Sequence, residues 1–248
     1  MKRGNVNEWI WFLILGGFTY YLYDLMASGN INLFIHPKMI KYVVLSMVVF
    51  TVMTILQVKR LFTNRNSGKI RYGYILFLIP LILGFAVTPQ PLNADVASKK
   101  GITIINENEE TVPQKEPLIQ IETDGVIRFN DADYSYILGE LMGNLEQYKG
   151  KQIEITGFVF KEDHFEKNQF VSARLMMTCC AADAQVVGLM CEWNGAGTLE
   201  KEKWVKVTGI IDTFQYMDPY LQQEETIPVI RAQRVELISP PAIQYVYP

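Results

Sequence analysis

Three apolar runs without a charged residue open the chain: Trp9–Tyr23, Tyr42–Val58 and Tyr72–Thr88. About twenty residues span the hydrocarbon core of a bilayer, with a working range near 17–25. The charges stand at the ends of the runs and form no polar stripe, which separates them from the amphipathic helices of a soluble core. The pattern therefore predicts three transmembrane helices, over about 9–26, 40–58 and 72–88. The first run is short by itself, and its helix is expected to continue past Asp24 to the headgroups. Pro80 predicts a kink or a locally re-satisfied backbone in the third helix. That helix also admits a secretory-signal reading, with Lys69 and Arg71 ahead of it and small residues near Ala94 behind it.

After residue 88 the pattern changes twice. Residues 89–117 read as a linker, punctuated by Pro89, Pro91, Pro113 and Pro117 and acidic over 106–110. From 118 onward the chain reads as a folded domain. Ile119–Ile121 and Val126–Phe129 flank a Thr-Asp-Gly turn signal and predict a hairpin. Tyr134, Ile137, Leu138, Leu141, Met142, Leu145 and Tyr148 recur at helical spacing and predict one amphipathic helix, capped by Asp131 or Asp133. Five alternating segments follow: Gln152–Lys161, Phe170–Cys180, Gln185–Trp193, Trp204–Phe214 and Ile227–Leu237. Five strands beside one helix in about 100 residues suit an OB-like β-barrel, with a sandwich as the alternative. Gly157 and Gly209 fall inside strands, where a missing side chain relieves sharp coiling. The fold class is thus a membrane-anchored α+β protein: three transmembrane helices (1–88), a linker (89–117) and an extracytoplasmic OB-like domain (118–248).

Charge sharpens this division. Residues 1–88 hold nine Lys and Arg against two acidic residues, and residues 89–248 hold fourteen against twenty-four. The formal net charge of −3 therefore joins a +7 part to a −10 part. Seven of the nine basic residues (Lys2, Arg3, Lys59, Arg60, Arg65, Lys69 and Arg71) lie before the first run or between the second and third. Only Lys38 and Lys41 lie between the first and second. That asymmetry places the N-terminus in the cytoplasm and the C-terminal domain outside a cell membrane crossed several times. An acidic domain disfavours a nucleic-acid partner, which needs Lys and Arg for its phosphates. The runs carry no acidic residue near their centres and no His, so they lack the usual marks of an ion path and suit an anchor in the lipid bilayer or a docking surface.

All three cysteines fall within thirteen residues, Cys179, Cys180 and Cys191. Three chemistries compete for them. They can be small buried hydrophobes, with or without a disulfide from Cys191 to Cys179 or Cys180. They can ligate a soft metal, Zn or Cu(I), with His164 as a further ligand and Asp183 as a turn cap or an outer-shell group. One thiol can be reactive, although no CxxC motif or paired base supports that. On a strand, neighbours point to opposite faces, so Cys179 and Cys180 share an ion only at a turn. Arg174 and Glu192, on adjacent strands, are expected to pair. His36, before Pro37, is expected at the membrane interface.

Membrane helices followed by Phe170–Cys180 and the run Cys-Cys-Ala-Ala-Asp-Ala resemble the YcgQ-like uncharacterised bacterial membrane proteins. The resemblance covers essentially the full chain, and its most specific element is Cys179–Ala184. It implies an accessory subunit beside a multi-helix permease and brings no catalytic residue with it. The expected function is a non-enzymatic permease subunit with an outer solute- or metal-handling domain. The alternatives are a membrane-anchored thiol or redox enzyme and a structural interaction module of the envelope.

Overall fold

The computed structural model describes residues 6–61, 72–90, 92, 125–217, 224–241 and 243–248. The chain forms two compact units: Met1–Pro91 together with Cys179–Ala182, and Leu92–Thr178 together with Asp183–Pro248. The linker at 89–117 lies almost wholly outside the described residues, as do Ile119–Ile121 and the basic residues Lys2, Arg3, Arg65, Lys69 and Arg71.

The first unit holds α1 (Val6–Ala27), α2 (Ile40–Leu61) and α3 (Tyr74–Ala86), with 3-10 turns at Asn30–Leu33 and Pro37–Met39 between α1 and α2. Val6–Ala27, with 22 residues, and the stretch Pro37–Leu61, with 25, are long and apolar enough to cross a membrane. The third helix is not. Its 13 residues rise about 20 Å at 1.5 Å per residue, short of a hydrocarbon core about 30 Å thick. The expected three spans are corrected to two of spanning length. An apolar run measures hydrophobicity, not helix length. Tyr72 and Gly73 form a turn, and Val87 is already extended at φ −98° and ψ 123°, just ahead of Pro89.

Packing within this unit fixes the direction of α3. Trp11 meets Tyr74 and Phe77 at ring-centroid distances of 5.4 and 5.5 Å, and Tyr20 and Tyr21 meet Phe85 at 5.9 and 5.3 Å. α3 therefore runs alongside α1 in the same sense. Phe18 of α1 stacks on Phe50 of α2 at 5.7 Å. Gln57 Nε2 donates to the Glu8 carboxylate and backbone carbonyl, tying the first turn of α1 to α2. Along α2, Leu45, Val48, Val52, Ile55 and Leu56 remain about half exposed or more. A helix in the core of a soluble protein would bury them.

The second unit contains β1 (Val126–Arg128), β2 (Gln152–Phe160), β3 (Gln169–Met176), β4 (Gln185–Glu192), β5 (Trp204–Met217), β6 (Glu224–Leu237) and β7 (Tyr245–Val246). The five strands predicted from alternation are β2 to β6. They lie in one mixed sheet of order β1-β2-β5-β6-β4-β3-β7, and a further β2–β3 pairing bends it into a partial ring. The β4–β6 pairing is parallel, whereas β2–β5, β5–β6, β3–β4 and β2–β3 are antiparallel. β1 adds to β2 in parallel. The predicted helix divides into α4 (Tyr134–Gly143) and α5 (Leu145–Tyr148). Its stripe still delivers Tyr134, Ile137, Leu138, Leu141, Leu145 and Tyr148 to a core shared with Ile153, Ile155, Phe170, Leu189, Val205 and Val207.

Ring closure depends on backbone proximity. Phe158 pairs with Ala173, and a Cβ on Gly157 would come within 2.6 Å of the Ala173 carbonyl oxygen and 2.7 Å of its nitrogen. Gly209 stands at a register shift between β5 and β6, where a Cβ would collide with the Arg231 carbonyl. Both glycines singled out from the sequence thus sit where strands approach too closely for a side chain.

The expected cap and ion pair differ from what forms. Asn130 Oδ1 accepts from the backbone N–H groups of Ala132 and Asp133, both at 2.9 Å, ahead of α4. Asp131 is thereby available to Arg174, whose Nη2 lies 2.7 Å from Asp131 Oδ1 and donates to the Ile243 carbonyl at 3.1 Å. Arg174 is only 2% exposed, and its guanidinium lies 5.1 Å from the Trp204 ring centroid and 5.9 Å from that of Tyr134. The expected Arg174–Glu192 pair does not form because the two residues use opposite faces. Arg174 shares the face of Phe170 and sits opposite Val187, while Glu192 alternates out of phase with Val187. Glu192 pairs instead with Arg231 on β6.

Two measurements check this account. Gly157→Val should destabilise the fold by about 2 kcal/mol or more, since overpacking costs about 1–3 kcal/mol even where side chains can yield; thermal unfolding of the detergent-solubilised chain reads it. Asp131→Asn should cost about 1–3 kcal/mol by weakening the partner of a buried guanidinium, with Asp133→Asn near neutral by the same assay.

Candidate functional site

β3 was expected to continue through Cys180, but it ends at Met176, and the reason is local. Met177 donates its N–H to the Val246 carbonyl at 3.0 Å, and Thr178 donates its own to Asp183 Oδ1 at 3.0 Å. The chain then makes a 3-10 turn at Ala181–Asp183 and re-enters the sheet at Gln185. Cys179 and Cys180 therefore occupy a turn, and the strand rule that would separate them does not apply. Their sulfurs are 3.7 Å apart, well beyond the disulfide length of about 2.05 Å. Cys179 is exposed and Cys180 partly buried. The two Sγ atoms and one carboxylate oxygen of Asp183 lie within 4.8 Å of one another.

The backbone of this turn is held within its own unit by the segment between α1 and α2. Cys180 forms an antiparallel bridge with Ile35. His36 donates its N–H to the Cys179 carbonyl at 3.0 Å, and Ala181 donates its N–H to the Phe34 carbonyl at 2.8 Å. These bonds satisfy main-chain groups of the turn. His36 was expected at the membrane interface. Its residue is 5% exposed, and Nδ1 accepts from the Lys38 N–H at 2.8 Å. Periodicity gave no hint of this clamp. The available signal was Pro37, which biases His36 toward the extended conformation that can pair; its φ is −60° and its ψ 138°.

The other candidate ligands are placed elsewhere. Cys191 sits on β4 between Phe170 of β3 and Ile230 of β6, is 0% exposed, and points its thiol at the Leu189 carbonyl 3.5 Å away. Burial pushes that thiol up to about 12, which makes it a core residue rather than a thiolate donor. His164 lies after β2, with Nε2 3.0 Å from the Tyr216 hydroxyl and Nδ1 3.2 Å from the Glu162 carboxylate. Of Cys179, Cys180, Cys191, His164 and Asp183, the structure brings together the first two and Asp183. The cap expected of Asp183 is present, and its carboxylate also stands within ligand range of the thiols. Two thiols and a carboxylate on a clamped turn are a donor set for a soft cation.

Comparison with known proteins places the whole chain. The Bacillus subtilis (strain 168) protein called UPF0703 protein YcgQ is 22% identical over 285 residues, covering 95% of this chain and 98% of that one. A Streptococcus mutans (serotype c, strain ATCC 700610 / UA159) protein, whose name proposes it as a subunit of a two-component membrane permease complex, is 24% identical over 271 residues, with the same coverage of 95% and 98%. The YcgQ-like resemblance is thus borne out. Among solved structures, a small single-stranded DNA-binding protein from Streptomyces coelicolor aligns over 36% of this chain and 94% of its own, with a TM-score of 0.25 and 14% identity. The mitochondrial single-stranded DNA-binding protein Rim1 of S. cerevisiae aligns over 36% and 96%, with a TM-score of 0.23 and 10% identity. At such TM-scores neither ligand nor partner transfers to this chain. Residues 10–103 match the DUF1980 N-terminal domain and residues 104–248 the DUF1980 C-terminal domain, and the chain belongs to the DUF1980 family.

Proposed function

We propose that this protein is a non-enzymatic accessory subunit of a two-component membrane permease, anchored in the bilayer and handling the solute with its C-terminal unit. The observation that carries the reading is the near full-length similarity to a protein named as a subunit of such a complex. The helices support it. No Asp, Glu, Lys, Arg or His lies within Trp9–Tyr23 or Tyr42–Val58, so a solute or ion path needs a partner with more helices. The outward apolar side chains of α2 suit lipid or that partner.

The N-terminus and the segment 62–73 lie on the cytoplasmic side, by seven basic residues against two. The loop between α1 and α2, and the cysteine turn paired with it, lie outside. α3 runs in the same sense as α1, toward that side, without a spanning length of its own. The C-terminal unit is an OB-type barrel, a reading supported by the ring β2-β5-β6-β4-β3 with its parallel β4–β6 pair. Its use is not nucleic-acid binding, because the chain beyond residue 88 carries an excess of ten acidic residues. A second reading, a membrane-anchored thiol or redox enzyme, is favoured only by the close approach of the Cys179 and Cys180 sulfurs.

Two experiments test the proposal. Affinity purification of the tagged full-length chain from native membranes in mild detergent should enrich one polytopic membrane protein over an untagged control. If no multi-helix protein is enriched, the subunit reading fails. A reporter enzyme fused after Pro248 should be active only outside the cytoplasm, and activity inside reverses the orientation.

A further inference from the structure

We propose that Cys179, Cys180 and Asp183 form an open, exchangeable site for a thiophilic divalent cation of tetrahedral preference, the class to which zinc belongs. The inference deepens the permease reading by naming the solute class, and it rests on that reading only for the ion's use as cargo.

The grouping of donors carries it: two thiol sulfurs and a carboxylate oxygen lie within 4.8 Å of one another. With metal–sulfur bonds of about 2.3 Å, two thiolates on one tetrahedral ion stand about 3.8 Å apart, whereas a linear two-thiolate ion would hold them about 4.6 Å apart. The observed separation of 3.7 Å is that of two thiols in contact, so both sulfurs can reach one tetrahedral ion without the turn being rearranged. The third donor is pre-positioned. Asp183 Oδ1 accepts from the Thr178 N–H at 3.0 Å, which orients the carboxylate, and a carboxylate oxygen lies within 4.8 Å of both sulfurs. Such outer hydrogen bonds fix a ligand's direction at metal sites. The backbone of the turn is held independently by Phe34 and His36, so little ordering is left to accomplish on binding.

Among the described residues the grouped donors are three. Cys191 is buried in the core, and His36 has Nδ1 engaged by the Lys38 N–H. Structural zinc sites close with four protein ligands, while sites that exchange or react keep a position open. With Cys179 exposed, the fourth position faces solvent, where water or a donor from a partner completes the tetrahedron. Binding needs both thiols deprotonated, and their protons pass to solvent.

The test uses the full-length chain in detergent, reduced and freed of metal by a chelator, and titrated with Cd²⁺ while thiolate-to-metal charge-transfer absorption is followed. One ion per chain is expected, displaceable by Zn²⁺. Cys179→Ser and Cys180→Ser should each weaken binding at least tenfold. Asp183→Asn, which keeps an acceptor for the Thr178 N–H, should also weaken it about tenfold or more. Cys191→Ala should titrate as the parent does. Absence of the charge-transfer band in the parent, binding unchanged in Cys179→Ser, or binding abolished in a Cys191→Ala chain that remains folded by circular dichroism would each overturn the site. If the site binds while no permease co-purifies, the site stands and its role as cargo handler is lost. If a permease co-purifies but no ion binds, the subunit reading survives and this inference does not.

Discussion

The close approach of β2 to β3 at Gly157 is the constraint on which the C-terminal unit depends. β2 must pair with β5 along most of its length and then with β3 near its end, and only a residue without a side chain admits the Ala173 backbone there. Once that closure is made, the rest follows. The interior faces of β3 and β4 are brought under α4, so Arg174 is enclosed and must find Asp131, Ile243 and two aromatic rings for its charge. A buried guanidinium is tolerable only with such partners. The same closure takes Met177 to the Val246 carbonyl and ends β3 three residues before the thiol pair.

That early end is what gives the cysteines their chemistry. On a continuing strand Cys179 and Cys180 would face opposite sides. In a turn their sulfurs approach to 3.7 Å. Cys191, twelve positions after Cys179 in the chain, takes the opposite fate because it falls on an interior position of β4. One side chain type thus lies at the surface of a turn in one place and is a packed apolar group in another, according to its surroundings.

The first unit follows a different solvent logic. Its helices pack through aromatic contacts and through the Gln57–Glu8 hydrogen bonds, and they present apolar side chains outward. Hydrophobic runs locate such helices well because the pattern of charges at their ends is unambiguous. They set the helix length poorly, because Gly73 and residues 88–90 (Thr-Pro-Gln) are uncharged and yet do not continue a helix. For that reason the third run, seventeen residues by composition, yields thirteen in the helix.

Alternation of side chains therefore determined β2 to β6, the helical stripe determined α4 and α5 to within one break, and the uncharged runs determined where the apolar helices lie. Each of these is a local property, since burial on one face imposes its period directly on the chain. The ring closure, the enclosure of Arg174, the selection of Asp183 over Cys191 and His164 beside the thiols, and the clamp from Phe34–His36 were decided by tertiary structure alone. They join positions far apart in sequence, or depend on where a strand stops. Side-chain period carries no information about which distant backbone groups will complete a hydrogen bond.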